Sequence, residues 1–132
     1  MKYLLDTNVC VDYLTGRYPA VVSKIHRSAP AELGLSSVVV AELRYGADRS
    51  DRVKANHARI DLLVGEIPSL DFDLEAASAY GRLRARLEVR GTPIGPNDML
   101  IAAQGLSRGL IVVTDNVGEF RRVGGLKVES WR

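Results

Sequence analysis

Short apolar runs alternate with longer segments of helical periodicity along the whole chain, and this alternation restricts the fold more than any other feature. Strands that alternate with helices favour a parallel sheet with helices on both faces. The predicted fold is therefore α/β, with three layers (α/β/α) around a central, mostly parallel sheet. The predicted strands are Tyr3–Leu5, Glu32–Leu35, Ile67–Phe72, Leu110–Val113 and an edge strand at Lys127–Trp131.

Polar and small residues predict where the intervening helices begin and end. Ser36 or Ser37 is predicted to cap a helix over Val38–Ala47, and Ser50 to cap the next one. Gly65 is predicted to end that helix. Three further helices are predicted from Val9 to Gly16, from Pro19 to Arg27, and from Asp73 through Leu87.

The segment Pro93–Ala103 joins a stiff Pro and Gly loop to an apolar helix. Asn97 is predicted to cap this helix, because Pro and Gly disfavour helix before it. Asp98 then lies in the first turn, where the helix dipole stabilises a negative charge. Taken alone, Asp98 is explained as a capping acid. The alternative, a ligand fixed on a rigid element and directed into a cleft, depends on the other acids of the chain.

Length and composition limit the class of protein. A chain of 132 residues with 46% hydrophobic content predicts one globular domain, residues 1–132. The net charge of +2 neither requires nor excludes a nucleic-acid partner. The single cysteine, Cys10, allows no internal disulfide and no Cys-based metal site. No apolar run has the length of a membrane span, and a cytoplasmic protein with no membrane partner is expected.

Four acids from distant parts of the chain are predicted to meet at one edge of the sheet. Asp6 and Asp115 follow strands, and ligands of open α/β sheets bind beyond the carboxyl ends of the strands. Asp98 begins a helix on that same edge, and Glu42 lies one turn into its helix. Asp6 alone is explained as a cap, Glu42 as a surface acid paired with Arg44 or Arg49, and Asp115 as part of a turn. Glu119, four residues after Asp115, is likewise explained as a surface acid paired with Arg121 or Arg122.

Carboxylates that are brought together repel one another by about 1 kcal/mol in water, and by more in a drier cleft. Either they share protons or a cation neutralises them. All-oxygen ligation by carboxylates and water suits Mg²⁺ or Mn²⁺. Phosphodiester hydrolysis by metal-activated water is the reaction class that such a site predicts.

Four short motifs resemble those of the PIN domain. They are Leu-Leu-Asp6-Thr7-Asn8, Glu42-Leu43-Arg44-Tyr45-Gly46, Pro96-Asn97-Asp98, and Thr114-Asp115-Asn116 with Glu119-Phe120. Their order and the chain length are similar to those of the VapC toxins of bacterial toxin–antitoxin pairs. The resemblance covers essentially the whole chain and implies a single, PIN-like domain.

The resemblance implies a Mg²⁺-dependent endoribonuclease, with Mn²⁺ as a substitute ion, that acts as the toxin of a type II toxin–antitoxin pair. It further implies a homodimer, inhibition by a cognate VapB-type antitoxin, and an RNA substrate for which tRNA is one candidate. The implied metal ligands are Asp6, Asp98, Glu42 and Asp115. The implied catalytic set adds Asn116, as a hydrogen-bonding residue, and Glu119. The choice of fourth acid stays open between Asp115 and Glu119.

Two other functions are compatible with the acids. A Mg²⁺-dependent phosphatase of the aspartyl-phosphate type needs a second acid two residues after the nucleophile, where this chain has Asn8. A non-catalytic PIN-like interaction module would keep the acids for folding or for a partner.

Basic residues near the motifs are candidates for RNA contacts: Arg44, Arg49, Arg52, Lys54, Arg121 and Arg122. A further stripe of Arg82, Arg86 and Arg90 is interpreted as a solvated helix face.

Overall fold

The computed structural model describes all 132 residues and contains a five-stranded sheet with helices on both faces. The strand order is β3-β2-β1-β4-β5, and every neighbouring pair is parallel. The α/β fold predicted from the alternation of strands and helices is therefore confirmed. The strands are β1 (Tyr3–Leu5), β2 (Leu33–Ser36), β3 (Ser69–Leu70), β4 (Ile111–Val113) and β5 (Lys127–Glu129).

Seven α-helices and one 3-10 turn connect these strands. No helix is both long and apolar enough to cross a membrane. The helices are α1 (Thr7–Thr15), α2 (Pro19–Arg27), α3 (Ser37–Asp48), α4 (Val53–Glu66), α5 (Leu74–Arg90), α6 (Pro96–Arg108) and α7 (Val117–Phe120), and the 3-10 turn is Pro30–Glu32.

The central strand β1 and the helix α6 form the middle of the core. Leu4 and Leu5 have no exposed surface, because a parallel strand covered on both faces is buried on both sides. Along α6, Ile101, Ala102 and Ala103 are also fully buried. At Gly105 of this helix an added Cβ would lie 2.9 Å from Val112 Cγ2, so glycine permits the close approach of α6 to β4. This packing fixes the position of the first turn of α6.

The strand predicted at Ile67–Phe72 is only two residues long in the structure. It lies at the edge of the sheet and pairs only with β2. Its partner ends at Ser36, where α3 begins, so no further residues are available for pairing. The other strands agree with the predicted positions to within two residues at each end.

Three predicted helix boundaries were wrong. Ser50 does not cap α4; its Oγ donates to the Ala47 carbonyl at 2.6 Å and closes α3 instead. Gly65 does not end α4, which continues to Glu66, because one glycine costs a helix only about 1 kcal/mol.

Asn97 is not the cap of α6. The cap is Gly95, and Pro96 takes the first helical position, where its missing N–H is not needed. Asp98 nevertheless lies in the first turn, as predicted. Ser36, one of the two predicted caps of α3, accepts a hydrogen bond from the Val38 N–H at 3.0 Å.

Candidate active site

The candidate site lies where the order of the strands changes direction. The chain passes from β1 to β2 on one side, and β4 later joins β1 on the other side. The crevice at such a switch point, beyond the carboxyl ends of the strands, is the usual ligand site of open α/β sheets. Asp6 directly follows β1 and Thr114 directly follows β4, so both lie in this crevice.

Asp6 is held rigidly at the base of the crevice and is only 4% exposed. Thr114 Oγ1 donates to its Oδ2 at 2.7 Å, and the Thr7 N–H donates to its Oδ1 at 2.8 Å. Burial raises the pKa of Asp6, and the negative charges of Glu42 and Asp115 raise it further, against these two hydrogen bonds. Asp6 does cap α1, but a cap needs neither this burial nor these acidic neighbours.

Asp98 projects from the first turn of α6 and is half-buried. Burial raises its pKa to about 7, and the negative charges of Asp6, Glu119 and Glu42 add to the effect. The carboxyl groups of Asp98 and Glu119 both lie against Gly95, close enough for each to shift the pKa of the other. A carboxyl group that remains partly protonated near neutral pH is one of the two expected consequences of clustered acids.

Glu119 is brought to Asp98 by α7, a four-residue helix that sequence reasoning did not predict. Phe120, which has no exposed surface, anchors this helix in the core. The Gly95 N–H and Asn116 Nδ2 donate to the Glu119 carboxylate. Burial alone would raise the pKa of Glu119, but these hydrogen bonds outweigh it and the pKa lies below its usual value. Glu119 is therefore the ionised partner and Asp98 the more readily protonated one.

Glu42 reaches the same crevice from α3. Thr7 Oγ1 donates to its Oε1 at 2.7 Å, so one threonine links Asp6 and Glu42. Together with the segment from Gly95 to Asp98, Glu42 lines an open cleft of about 300 Å³. Glu42 forms no ion pair: Arg44 pairs with Asp61 at 2.6 Å, and Arg49 donates to the Tyr45 hydroxyl.

Asp115 follows β4 and is held by Asn8 and by Arg132, which it shares with Asp12. Asn8 Nδ2 donates to its Oδ1 at 3.2 Å, and Arg132 Nη1 lies 2.8 Å from its Oδ2. Arg132 also binds both carboxylate oxygens of Asp12, at 2.8 and 3.1 Å. Asp12 is 3% exposed. The last residue of the chain thus connects a buried acid to the edge of the site.

Sequence reasoning missed Asp12 and Arg132. A signal for Asp12 was present, because it lies three residues after the core residue Val9 and therefore on the inward side of α1. Its partner, 120 positions later, has no local pattern that identifies it.

Loss of this connection is expected to destabilise the protein. Arg132→Gln leaves the buried Asp12 carboxylate without its partner, and unpaired buried charges are costly. We expect a melting temperature lower by roughly 5 °C, measured by circular dichroism. Arg84→Gln is the matched control, because Arg84 pairs with Glu88 on an exposed helix face. Equal melting temperatures for Arg132→Gln and the wild type would show that the connection contributes nothing to stability.

The acids form an open rim rather than a closed cage. No three Asp, Glu, His or Cys side chains lie close enough together to enclose a metal ion by themselves. The two histidines are engaged elsewhere, His57 with Asp48 and His26 with Tyr13. An open set of carboxylates fits Mg²⁺, which usually keeps several waters and binds through one or two carboxylates and the phosphates of the substrate.

Three of the six basic residues predicted to contact RNA have protein partners in the structure. Arg44 binds Asp61 and His57, and Arg49 donates to the Tyr45 hydroxyl at 2.9 Å. Arg122 Nη1 donates to the Pro93 carbonyl at 2.9 Å, beside the cleft. Contacts of these residues with RNA stay a prediction.

Comparison with known families and relatives gives one consistent result. The family model described as the PIN domain matches residues 3–126. The tRNA(fMet)-specific endonuclease VapC of Shigella flexneri is 43% identical over 131 residues, 99% of this chain and 98% of the relative. The tRNA(fMet)-specific endonuclease VapC of Salmonella typhimurium is 37% identical with the same coverage. Ribonuclease VapC2 of Rickettsia felis is 35% identical over 133 residues, again 99% of this chain and 98% of the relative.

Solved structures give the same picture. VapBC from Salmonella typhimurium bound to DNA superposes with a TM-score of 0.95 and 36% identity, covering 100% of this chain and 99% of the other. VapBC2 from Rickettsia felis, bound to a DNA fragment from its promoter, superposes with a TM-score of 0.93 and 33% identity over 100% of both chains. The predicted resemblance is confirmed by these matches.

Proposed function

This chain belongs to the PIN domain family, and we infer that it is the endoribonuclease toxin of a type II toxin–antitoxin pair. Its relatives over nearly the full length are named as VapC ribonucleases, and the superposed structures are VapBC complexes. The observation that supports hydrolysis best is the meeting of Asp6, Glu42, Asp98 and Glu119 at the switch point of the sheet.

Metal dependence is general among PIN-domain nucleases, and for this chain we propose Mg²⁺ with Mn²⁺ as a substitute. A bound divalent cation polarises the phosphoryl oxygen and lowers the pKa of water. Asp6 and Asp98 are the proposed principal ligands, with Glu42 beside them. Thr7 and Thr114 fix the orientation of Asp6, so that its carboxylate needs no rearrangement when an ion or a phosphate arrives.

For the fourth position we favour Glu119 over Asp115. Glu119 lies beside Asp98, and hydrogen bonds from the Gly95 N–H and from Asn116 lower its pKa. In this position it can accept a proton from Asp98 or from a nearby water. The carboxylate of Asp115, in contrast, is already held by Arg132 and by the Asn8 amide. Asp115 as a ligand remains a prediction of the family resemblance.

Two substitutions distinguish the candidates for the fourth acid. Glu119→Gln removes the charge beside Asp98 and should lower kcat by roughly 10- to 100-fold. Asp115→Asn should lower kcat by less than about 5-fold, because the Asp115 carboxylate is already engaged by Arg132 and Asn8 rather than free to take a cation. Both rates are measured on the same RNA. A larger loss for Asp115→Asn than for Glu119→Gln would identify Asp115 as the fourth acid.

We propose initiator tRNA as the substrate, since two relatives that align with nearly the whole chain are named tRNA(fMet)-specific endonucleases. We further propose the cytoplasm as the place of action, because a tRNA substrate and an antitoxin are both present there.

The aspartyl-phosphate alternative is disfavoured by Asn8. That chemistry needs a second acid at this position, and the Asn8 amide instead donates to Asp115.

The partner is a VapB-type antitoxin, in keeping with the VapBC complexes among the structural relatives. We propose that part of it occupies the apolar pocket of about 220 Å³ between α1, α3 and α4, which ends at Thr7 and Glu42 of the site. We also propose a homodimer, since Tyr45 on the adjoining face of α3 is 62% exposed.

Expression followed by sequencing of RNA ends tests the proposed function. The gene is induced in cells, and the 5′ ends of cellular RNA are sequenced before and after induction. We expect new ends concentrated in initiator tRNA with the wild type and none with Asp98→Asn. If the two proteins give the same RNA ends, this chain is not an endoribonuclease that uses Asp98.

A further inference from the structure

Four arginines line one groove on the side of the molecule formed by α5 and α6. Arg82, Arg86 and Arg90 follow one another at intervals of four residues on α5, and Arg122 lies opposite, just after α7. We call this set the basic groove. Its volume is about 280 Å³, and none of the residues that line it is acidic.

None of these arginines forms an ion pair, in contrast to other arginines nearby, although Arg122 is near enough to Glu119 to help lower its pKa. Arg84 pairs with Glu88 on another face of α5, and Arg108 pairs with Asp73 at its N-terminal cap. Arg82, Arg86 and Arg90 form no ion pair, and Arg122 uses one nitrogen for the Pro93 carbonyl. The stripe on α5 is exposed, as predicted for a solvated face. Across the groove, however, Arg122 adds a fourth positive charge opposite this stripe.

The floor of the groove is apolar. Leu83, Leu87 and Val123 are each at most 4% exposed and lie beneath the arginines. Aliphatic arginine stems pack on such a surface and hold the guanidinium groups at the rim. A bound anion would relieve the charge repulsion across this groove, and guanidinium groups bind phosphate oxygens in pairs of parallel hydrogen bonds.

The basic groove begins next to the candidate active site. Arg122 donates to the carbonyl of Pro93, two residues before Gly95, whose N–H donates to Glu119. From there the arginines of α5 extend away from the site at intervals of about 6 Å along the helix axis. A linear array of cations that starts at an active site matches a chain of regularly spaced anions better than a single ion.

We propose that the basic groove binds the sugar-phosphate backbone of the RNA substrate at a distance from the bond that is cut. This assignment depends on the proposed endoribonuclease function for the identity of its ligand. The groove adds affinity for a large, structured RNA. It takes no part in the cleavage reaction itself.

The first test measures RNA binding without cleavage. Asp98→Asn protein, with and without the triple change Arg82→Gln, Arg86→Gln and Arg90→Gln, is titrated with fluorescent unfractionated tRNA at several salt concentrations. We expect the triple change to weaken binding by roughly 10- to 100-fold at low salt and to reduce the slope of log K against log salt by about 2 to 3. Arg84→Gln, on the same helix but outside the groove, should leave both values unchanged.

The second test compares two substrates with active enzyme. The triple variant should show a raised KM on intact tRNA and an unchanged kcat. On a short stem-loop that carries only the cleaved site, KM and kcat should both equal those of the wild type. Circular dichroism and size-exclusion chromatography verify that the variant is folded and has the wild-type oligomeric state.

Equal salt slopes and equal KM values on tRNA for the wild type and the triple variant would overturn the proposal. A triple variant that binds tRNA normally but dissociates into protomers or no longer binds the antitoxin would also overturn it, and would assign the groove to a protein interface. If instead the proposed endoribonuclease function is wrong, the wild-type protein cuts neither intact tRNA nor the short stem-loop.

Discussion

Replacing Asp98 by asparagine is expected to lower the rate of RNA cleavage by roughly 1,000-fold, equivalent to about 4 kcal/mol of lost transition-state stabilisation. The reason is geometric and electrostatic. Asp98 lies at the rigid start of a buried helix and belongs to the same acidic set as Asp6, Glu42 and Glu119. Asparagine keeps the size of the side chain but removes the charge that attracts a cation. The measurement is kcat on a purified RNA under saturating Mg²⁺.

The same substitution should leave the fold intact and make the metal-free protein slightly more stable. Burial and the neighbouring acids make the ionised form of Asp98 unfavourable, as its pKa of about 7 indicates. We expect a gain of about 1 kcal/mol in the free energy of unfolding at neutral pH. This is well below the free energy that corresponds to the whole pKa shift of Asp98, because solvent screens a half-exposed group. Asp51→Asn, at an exposed position, is the control. An inactive Asp98→Asn protein that is unfolded would leave the catalytic assignment without support.

Removal of divalent ions is expected to abolish cleavage completely. With a chelator present the acids have only protons and their own hydrogen bonds to reduce their repulsion, and no group in the crevice replaces a cation as a Lewis acid. Addition of Mg²⁺ or Mn²⁺ should restore the rate. Undiminished cleavage by fully chelated protein would contradict the proposed metal dependence. The control is the same protein and RNA with the chelator presaturated by Mg²⁺.

The metal-free protein should also lose stability as the pH rises. The pKa values of Asp6 and Asp98 are both raised above their unfolded value of 3.8, that of Asp98 to about 7. Between about pH 4 and 7 these two groups therefore bind more protons in the folded state than in the unfolded state, and their contribution to stability falls with increasing pH. Mg²⁺ should reduce this dependence, because it favours the ionised carboxylates. Chemical denaturation at a series of pH values measures both effects.

Much of the fold follows from local patterns. The apolar runs that became β1 and β4 are short, β-branched or leucine-rich and almost wholly buried, so their length and composition together favour strands. The positions of Asp6 and Asp98 follow in the same way, since one ends a strand and the other begins a helix. The edge strand β3 and the beginning of α4 were less predictable, because pairing partners and side-chain bonds formed elsewhere decide them.

The roles of the outer acids could not be predicted from local sequence. Glu119 acquires its position from α7, which is four residues long and held by the burial of Phe120. Asp115 is paired with Arg132, which comes after α7 and β5 in the sequence. The basic groove likewise needs Arg122 to approach α5, a contact between residues more than 30 positions apart in the sequence. Such long-range contacts depend on the completed fold.

A calorimetric titration with Mn²⁺ decides whether these acids are held together for a cation. Metal-free wild-type protein and the Asp98→Asn variant are titrated under identical conditions, with Asp51→Asn as the control. We expect saturable binding to the wild type and to the control, and an affinity at least about 10-fold lower for Asp98→Asn. Equal Mn²⁺ binding by all three proteins, or no binding by the wild type, would show that the crevice at the end of β1 is not a metal site.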